Sequence, residues 1–307
     1  MSKIIGLGQA QIPTVMKNAE WSQYVETDDT WIKTRTGIEQ RYMSKVGTTQ
    51  LAIEAAKAAV EASQITAEQI GLIIVATISP DQVMPSTAAS VQAAIGATSA
   101  MTFDLNAACT GFIAAFNTAH QFLANKTYEY ALIIGAEQLS SVIDWHDRNT
   151  CVLFGDGSAA VVVEQSELFL AGEVFTRGDE TGVLTLAAKG INPSIQMNGK
   201  EVFKFATSVL TSCIERAIKQ AQITRETIDW IVPHQANRRI IEYVAKKQAI
   251  PMEKFIVNVH RYGNTSSASI PLALVEAQTL FQPGDKILLI GFGGGLTWGY
   301  SLIEWSE

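Results

Sequence analysis

The sequence has few cysteines and few charged residues, and it contains no run of basic residues. Three cysteines occur among 307 residues, and 17% of the residues are charged. Cys109, Cys151 and Cys213 are widely spaced and form no CxxC or Cys/His cluster, which argues against a disulfide framework and a zinc site. The 23 Lys and Arg against 30 Asp and Glu give a net charge of −7, which excludes a general nucleic-acid surface. An acidic partner must therefore meet a local basic patch.

The sequence predicts neither a secretory signal nor a membrane span. The first residues lack a basic segment followed by a long apolar run. Between Gln82 and Asn125 the only formal charge is Asp104, but polar residues and Pro recur too often there for a span. We therefore expect a cytoplasmic protein that binds no membrane. The charge-poor region is expected to be deeply buried or to lie at a subunit interface.

Hydrophobic residues make up 47% of the chain, and they occur in a pattern that predicts a layered α/β fold. Short apolar runs bounded by Gly or polar turns are typical of buried strands, and amphipathic stretches lie between them. The predicted strands cover 71–77, 131–137, 151–157, 160–164, 229–233, 255–259 and 286–291. The predicted helices cover 49–63, 109–125, 202–222, 239–248 and 269–280.

The chain also contains an internal repeat. Residues 64–73 match 222–231 with six identities at an offset of 158. ALIIGAE matches ILLIGFG at an offset of 156, and NAACTG matches RYGNTS at an offset of 155, so three features recur in order. We infer two duplicated halves, 1–170 and 171–307. The third match predicts that Cys109 and Asn264 occupy equivalent places in the two halves.

Three residues are candidates for catalysis. Cys109 lies where a strand-like run meets a helical pattern, and a helix N-terminus lowers a thiol pKa. His234 directly follows a predicted strand, and Asn264 lies in a glycine-rich turn before a helix; ligands gather at such strand ends. Taken alone, each has a simpler explanation: an inert buried thiol for Cys109 and structural caps for His234 and Asn264.

A glycine-rich segment, GFGGGLTWG at 291–299, follows a strand near the C-terminus. No βαβ unit remains after it, so a dinucleotide-binding loop is rejected. Glycines there let backbone N–H groups approach a substrate oxygen.

Together these motifs resemble the β-ketoacyl-(acyl carrier protein) synthase III family of the thiolase superfamily, and the resemblance runs nearly end to end. The motifs are DDTWIKTRTGIEQR (28–41), MPSTAASVQ (84–92), NAACTGF (106–112), DRNTCVLFGDG (147–157), NGKEVFKFA (198–206), VPHQANRRI (232–240), YGNTSSASIP (262–271) and GFGGGLTWG. The resemblance implies a thiolase-like five-layered αβαβα fold made of two duplicated halves. It also implies an enzyme that starts fatty acid synthesis.

By the same resemblance, Cys109 is the acylated nucleophile, and His234 and Asn264 bind the thioester oxygen of the malonyl group. Backbone N–H groups of Cys109 and Gly294 form the oxyanion hole. Two neutral donors suit the negative charge that develops on that oxygen as CO₂ leaves. Acyl-CoA is a substrate, and no metal or other cofactor is expected.

The resemblance assigns further residues to partners. The expected CoA-binding residues, with Trp31 and Arg148 sandwiching the adenine, are Thr27, Trp31, Arg35, Arg148, Gly199, Phe203 and Asn237. The expected acyl carrier protein surface is Lys204, Gln235, Ala236, Asn237, Arg238, Arg239, Lys246 and Lys247. A homodimer is expected, with Met84 near the partner's acyl pocket. The segment from about Phe175 to Gln196 is shorter than is usual in the family, and Lys200 and Arg238 occupy positions that vary.

Three other functions remain open on the sequence alone. A related acyltransferase or polyketide-starter synthase would share the fold, although pure transfer has no enolate for His234 and Asn264 to stabilise. A cysteine acyl-CoA hydrolase would also use Cys, His and Asn, and would release a free acid without CO₂. A non-catalytic scaffold would leave Cys109 unreactive toward acetyl-CoA.

Overall fold

Two β-sheets alternate with three layers of helices in the computed structural model, which describes residues 2–179, 181–187 and 194–306. The strands are β1 (Ser2–Gln9), β2 (Val15–Lys17), β3 (Gln40–Tyr42), β4 (Ile70–Ala76), β5 (Met101–Leu105), β6 (Tyr130–Glu137), β7 (Gly157–Gln165), β8 (Phe169–Thr176), β9 (Leu184–Leu186), β10 (Ile195–Met197), β11 (Trp230–Pro233), β12 (Lys286–Gly293) and β13 (Thr297–Glu304). The helices are α1 (Asp29–Thr36), α2 (Thr48–Ser63), α3 (Thr87–Ile95), α4 (Gly111–Ala124), α5 (Gly199–Ala221), α6 (Arg238–Gln248), α7 (Val259–Tyr262) and α8 (Ser269–Ala277).

The five layers follow from which helices cover each sheet. The first sheet has the order β1-β7-β6-β4-β5, and α2 and α3 pack on its outer face. The second sheet has the order β11-β12-β13-β8 and carries α5, with α6 beside it, on its outer face. Helices α4 and α8 lie between the two sheets and contact both. The expected αβαβα arrangement of two duplicated halves is therefore confirmed.

The central layer is the most apolar part of the core. Helix α4 buries Phe112, Ile113 and Phe116 between the sheets, each at most 1% exposed. Strands β4 and β6 are buried on both faces because helices cover both sides of the sheet, which explains their continuous apolar runs. This packing fixes the start of α4, where Cys109 lies. No helix of the described residues has the length and apolar character needed to cross a bilayer.

The repeat is visible in the structure, but it corrects one expected equivalence. A 3₁₀ turn, Ala108–Thr110, leads into α4. The equivalent turn of the second half, Ser266–Ala268, lies 158 residues later and leads into α8. The residue equivalent to Cys109 is therefore Ser267, and the expected pairing with Asn264 is wrong. The sequence match at an offset of 155 is three residues short of the structural offset of 158, so it aligned Asn264 with Cys109 in place of Ser267.

Strands β6 and β12 are equivalent along their whole length. Each has eight residues, and each pairs in the same register with the antiparallel strand that follows it. In the first sheet Glu137 lies opposite Gly157, and in the second sheet the equivalent Gly293 lies opposite Thr297. A glutamate and a glycine thus end equivalent strands. The boundary at residues 170 and 171 stays a prediction, although the first sheet uses strands from 2–165 and the second uses strands from 169–304.

Two predicted strands are wrong. Residues 151–156 form a turn before β7, and 255–259 contribute a single bridge, Ile231 to Phe255, before α7. The first segment pairs with the Asn264 turn through the bridge of Phe154 to Asn264 instead of joining a sheet. The remaining predicted strands and the five predicted helices are confirmed within a few residues. Within the segment noted as short, residue 180 and residues 188–193 lie outside the described residues.

Candidate active site

Cys109, His234 and Asn264 line one cavity of about 1280 Å³. The three side chains come from three different places in the chain: the turn before α4, the end of β11 and the turn before α8. The cavity extends from Trp31 near the surface to the buried ends of the two sheets. The structure therefore brings the three predicted catalytic residues together.

Cys109 sits in a tight turn directly before α4. Ala108 has a φ of 48°, which is in the left-handed region, and this kink turns the chain from β5 into the helix. The thiol is 7% exposed. A Cβ added at Gly293 would lie 2.7 Å from the backbone nitrogen of Cys109, so only glycine permits this approach of β12 to the turn.

The pKa of Cys109 is raised, which corrects the expected direction. The pKa of the thiol is raised to about 12, mainly by burial and to a smaller extent by the nearby Glu137 carboxylate, although the Ser266 hydroxyl and the backbone N–H of Cys109 act to lower it. Desolvation outweighs the effect of the helix N-terminus because the sulfur is almost removed from water. Cys109 is therefore a neutral thiol at pH 7 and must lose its proton when it reacts.

His234 is held in place from both sides. Its backbone N–H donates to the Ile290 carbonyl at 2.8 Å, which fixes the residue at the end of β11. Its ring packs edge-on against Phe292, with the centroids 5.3 Å apart. The side chain is buried, and burial lowers its pKa to about 3. The imidazole is therefore neutral at pH 7.

Ser269 holds the Nδ1 side of the His234 ring. The Ser269 hydroxyl lies 2.7 Å from His234 Nδ1 and accepts from the backbone N–H of Gln235 at 3.4 Å. In the tautomer in which Ser269 donates to Nδ1, the ring hydrogen is on Nε2 and His234 presents a neutral donor to the cavity.

Asn264 presents a second neutral donor. Its backbone N–H donates to the Leu153 carbonyl at 2.8 Å and its carbonyl accepts from Gly155 at 3.0 Å. The side-chain Oδ1 accepts from the Ser266 N–H at 2.8 Å. The amide NH₂ has no hydrogen-bond acceptor among residues 2–179, 181–187 and 194–306. Both hydrogens of that group are thus available in the cavity.

The glycine-rich turn after β12 borders the same cavity. Gly294 lines it, and the Gly294 carbonyl accepts from the Thr297 hydroxyl at 3.1 Å. The same hydroxyl lies 3.0 Å from the Thr110 hydroxyl, next to Cys109. The turn is thereby tied to the start of α4, as a shared oxyanion hole requires.

The residues expected to bind CoA lie toward the mouth of the cavity, with one exception. Those that line it are Trp31, Arg35, Arg148, Gly199, Phe203 and Asn237. Asn237 caps α6 and donates to the Arg35 carbonyl at 3.1 Å, which joins the two walls of the mouth. Thr27 is not among the lining residues, and its hydroxyl is buried without a partner among the described residues.

Trp31 and Arg148 are in direct contact. The Arg148 guanidinium lies over the indole, 4.9 Å from the ring centroid, and also donates to the Glu26 carbonyl at 2.9 Å. An adenine sandwiched between them needs the guanidinium to move away from the ring. Both groups thus lie at the mouth of the cavity, and in this structure they stack on each other.

Five of the eight residues predicted to form the carrier-protein surface are exposed. The exposed members are Lys204, Arg238, Arg239, Lys246 and Lys247. Arg238 is already paired with Glu242 at 2.8 Å, and Ala236 lines the cavity.

Gln235 does not fit this surface. The side chain is 1% exposed, and its amide bonds to four backbone groups of the surrounding loops, those of Pro233, Ile256, Asn258 and Val259. It holds the His234 loop instead, and its assignment to the carrier-protein surface is wrong.

Met84 is 85% exposed and does not line the cavity of its own chain. Its neighbour Val83 is 96% exposed and does line the cavity, and sequence reasoning missed it. Among the described residues, no group of three or more His, Cys, Asp or Glu side chains is arranged to hold a metal ion.

Sequence reasoning also missed Glu137, Ser266 and Ser269. Glu137 closes an apolar strand, and a charge in such a position is a usable signal. Ser266 and Ser269 lie within the quoted motif YGNTSSASIP, but a run of serines gives no indication of which hydroxyl faces which group.

Comparisons with known proteins agree with this geometry. The family model described as 3-Oxoacyl-[acyl-carrier-protein (ACP)] synthase III matches residues 103–178, and the model for the C terminal part of the same enzymes matches residues 218–305. The chain is 47% identical to the beta-ketoacyl-[acyl-carrier-protein] synthase III of Clostridium acetobutylicum, over 99% of each chain.

Solved structures of similar proteins superpose closely. The 3-oxoacyl-[acyl-carrier-protein] synthase III of Aquifex aeolicus is 42% identical with a TM-score of 0.96, covering 99% of this chain and 100% of that one. A priming beta-ketosynthase from the R1128 polyketide pathway is 29% identical with a TM-score of 0.94, covering 100% of this chain and 97% of that one.

Proposed function

The chain belongs to the 3-oxoacyl-[acyl-carrier-protein] synthase III family of condensing acyltransferases, and we propose how its residues divide that reaction. Cys109 takes an acyl group from acyl-CoA, and the acyl group then condenses with malonyl-acyl carrier protein. The products are CoA, CO₂ and 3-oxoacyl-acyl carrier protein, the starting compound of fatty acid synthesis.

The first half-reaction is acyl transfer. The Cys109 sulfur attacks the thioester carbon, the bond to CoA sulfur breaks, and CoA leaves. Negative charge develops on the thioester oxygen, and backbone N–H groups of Cys109 and Gly294 are the proposed donors to it. The close approach of Gly293 to the Cys109 nitrogen supports this assignment because it leaves no side chain over the donor.

The second half-reaction is decarboxylation followed by condensation. Loss of CO₂ from the malonyl thioester builds charge on the thioester oxygen, and the carbanion attacks the acyl carbon on Cys109. His234 Nε2–H and the Asn264 amide are the proposed donors to that oxygen. Neutral donors fit this task because they stabilise the charge that develops on the oxygen in the transition state and do not hold the ground-state substrate in a strong ion pair.

One observation carries the proposal: a neutral imidazole and a free amide NH₂ line the same cavity as the only thiol among its lining residues. A hydrolase needs an activated water and has no use for a second pair of donors. Acyl transfer and decarboxylative condensation involve no net oxidation or reduction, so we assign no redox cofactor.

Charge and position support the proposed partners. Lys204 on α5 and Arg239, Lys246 and Lys247 on α6 are exposed on two helices that pack together, in a chain with a net charge of −7. Such a local basic patch suits an acidic carrier protein. Reduced cysteines, all three of them free, suit the cytoplasm.

We also propose a homodimer. The exposed apolar side chains of Val83 and Met84, at 96% and 85%, project from a loop whose neighbours line the cavity. Burying them against a second copy removes apolar surface from water. Sedimentation at micromolar concentration is expected to give a dimer, and Met84→Asp is expected to shift it toward monomer. A fully active monomeric wild type contradicts the proposal.

Separating the half-reactions tests the proposed roles. Asn264→Ala is expected to take label from radioactive acetyl-CoA onto Cys109 but to release CO₂ from malonyl-carrier protein about 10²-fold to 10³-fold more slowly. Cys109→Ala is expected to take no label. The alternatives give different results: label released as free acetate without CO₂ indicates a hydrolase, and normal decarboxylation by Asn264→Ala excludes the proposed oxyanion site.

The same assay, run with a series of acyl-CoA primers, separates a fatty acid starter enzyme from a polyketide starter enzyme. Preference for acetyl-CoA or short branched primers fits fatty acid initiation. Exclusive use of an unusual primer favours the function named for the R1128 priming enzyme.

A further inference from the structure

Glu137 is a fully buried carboxyl group beside the nucleophile, and the mechanism above does not use it. It ends β6 and is 0% exposed. Its Oε2 accepts from the Ser79 hydroxyl at 2.7 Å, the Ile78 N–H at 3.1 Å and the Thr77 hydroxyl at 3.2 Å. Its Oε1 lies 2.7 Å from the Ser267 hydroxyl. These partners are neutral, so no cation compensates a charge at this position.

Ser266 links this carboxyl group to Cys109. The side chain is 1% exposed and lines the cavity, and its hydroxyl has no conventional hydrogen-bond partner among the described residues. The turn that carries it, Ser266–Ala268, packs both against the turn of Cys109 and against β6, which ends at Glu137. A left-handed φ of 47° and the bond from its N–H to Asn264 Oδ1 fix the position of Ser266. Its hydroxyl also lowers the pKa of the Cys109 thiol and of the Glu137 carboxyl group. A buried hydroxyl without a hydrogen-bond partner among the described residues thus lies in the turn that contacts both elements.

The hydrogen bonds around Ser267 allow Glu137 to hold a proton. The single hydroxyl hydrogen of Ser267 has two acceptors, the Ala76 carbonyl at 2.8 Å and Glu137 Oε1 at 2.7 Å. When it points to Ala76, the short contact with Oε1 is satisfied if the carboxyl group itself carries a hydrogen. Burial also raises the pKa of Glu137. The cluster therefore accommodates the protonated and the ionised form.

His234 is a poor acceptor for the thiol proton. Burial lowers its pKa to about 3, and its Nδ1 is occupied by Ser269 at 2.7 Å. Cys109 is the titratable side chain that faces the Glu137 cluster, and the remaining neighbours are hydroxyls and backbone groups.

We propose that Ser266 and Glu137 form the proton relay of the first half-reaction, an inference that rests on the proposed acylation of Cys109. The Cys109 S–H proton passes to the Ser266 oxygen while the Ser266 hydroxyl proton passes to the Glu137 carboxylate. The thiolate attacks the thioester carbon, and the bond to CoA sulfur breaks. The proton returns from Glu137 through Ser266 to the departing CoA thiolate, which leaves as CoA–SH. Protons and electron pairs balance without another reactant.

The test is single-turnover acylation of the full chain by acetyl-CoA between pH 6 and 9.5, followed by the mass of the intact protein. Wild type is expected to be fast and nearly independent of pH near neutrality. Ser266→Ala and Glu137→Gln are expected to acylate about 10²-fold more slowly at pH 7. Their rates are expected to rise about tenfold per pH unit, because hydroxide then removes the thiol proton. At high pH they approach wild type.

Thr265→Val is the matched control. Thr265 is adjacent to Ser266, is 0% exposed and also has a hydroxyl without a partner among the described residues. It is not among the groups that act on Cys109 or Glu137. It is expected to keep the wild-type pH profile. If Glu137→Gln does not fold, the pH profile of Ser266→Ala tests the relay alone, because this variant keeps the buried carboxyl group and its hydrogen bonds.

Two results overturn the relay: wild-type pH profiles in the folded variants, or an equal loss at every pH, which indicates positioning alone. A different result overturns the proposed function: wild type that accepts no acyl group from any acyl-CoA. The two failures are therefore distinguishable.

Discussion

Ser269 hydrogen-bonds to His234 across 2.7 Å, from the first turn of α8 to the end of β11. The bond joins two elements that are 35 residues apart in sequence. With Ser269 as the donor to Nδ1, the imidazole carries its hydrogen on Nε2. The donor that we propose for decarboxylation is then in place before substrate arrives.

Removing this hydroxyl is expected to slow decarboxylation and to spare acylation. Ser269→Ala is expected to lower the rate of CO₂ release about tenfold, the loss expected when a hydrogen bond worth about 1.4 kcal/mol is removed. Labelling of Cys109 by acetyl-CoA should be unchanged, because Ser269 does not act on the thiol. Ser269→Thr keeps the hydroxyl and should restore most of the rate. Equal loss in both half-reactions would argue for a general structural defect.

Trp31 is expected to matter only for substrates that carry adenine. Trp31→Ala should raise the KM for acetyl-CoA about tenfold, since a stacked aromatic contact contributes roughly 1–2 kcal/mol. An acetyl thioester of N-acetylcysteamine lacks the nucleotide and should show an unchanged KM. Arg148→Ala should give the same pattern, because its guanidinium faces the same ring. The assignment of Trp31 to adenine binding is wrong if the KM rises equally for both substrates.

Reversing the charge of Arg239 is expected to weaken the binding of malonyl-carrier protein but not that of malonyl-CoA. Arg239→Glu should raise the KM for malonyl-carrier protein about tenfold and leave the KM for malonyl-CoA nearly unchanged, because steering acts on the acidic protein. Lys57→Glu is the matched control. Lys57 is exposed on α2, which covers the outer face of the first sheet, in the layer farthest from α5 and α6. Similar effects of both variants would contradict a localised docking surface.

The burial of neutral His234 predicts an acid-dependent loss of stability. Its pKa is about 3 in the folded chain and about 6.5 in an unfolded one. Between these values the unfolded chain binds more protons, so the free energy of unfolding falls as the pH falls, by up to about 1.4 kcal/mol per pH unit. The contribution is fully present above about pH 6.5. Urea unfolding of wild type and His234→Gln from pH 7.5 to pH 4.5 measures it.

His234→Gln has no group that titrates in this range at position 234. Its unfolding free energy should therefore decline less steeply toward pH 4.5 than that of wild type. Parallel curves would show that the pKa of His234 is close to that of an exposed histidine.

The sequence was sufficient to predict most elements of the core. Strands β4, β6 and β12 are covered on both faces, so their apolar runs are long and uninterrupted and are readily recognised. Residues 151–156 begin with a similar apolar run but form a turn, because the backbones of Leu153 and Gly155 bond to Asn264. Composition alone does not distinguish these two kinds of burial.

The motifs identified three candidate catalytic residues that share one cavity, but they did not give the protonation states of these residues. A helix start next to Cys109 suggests an acidic thiol, whereas the three-dimensional burial of the sulfur raises its pKa to about 12. The prediction that Gln235 lies on the carrier-protein surface was wrong for a related reason. Gln235 stands within a motif of exposed neighbours, yet its side chain turns inward and bonds to the backbone. Solvent access of a single side chain is decided by packing that the linear pattern does not contain.

The repeat has a further meaning for the origin of the site. The turns at Cys109 and Ser267 are equivalent, and so are the strand ends at Gly293 and Glu137. At one turn, an oxygen of Glu137 lies 3.4 Å from the Ser267 N–H; at the other, glycine stands in the place of the glutamate, and no side chain covers the Cys109 N–H from that strand end. The two halves therefore differ at one equivalent position, where one carries a carboxyl group and the other carries no side chain. This single difference makes a nearly symmetric scaffold chemically asymmetric, with a cavity beside the glycine half of the repeat.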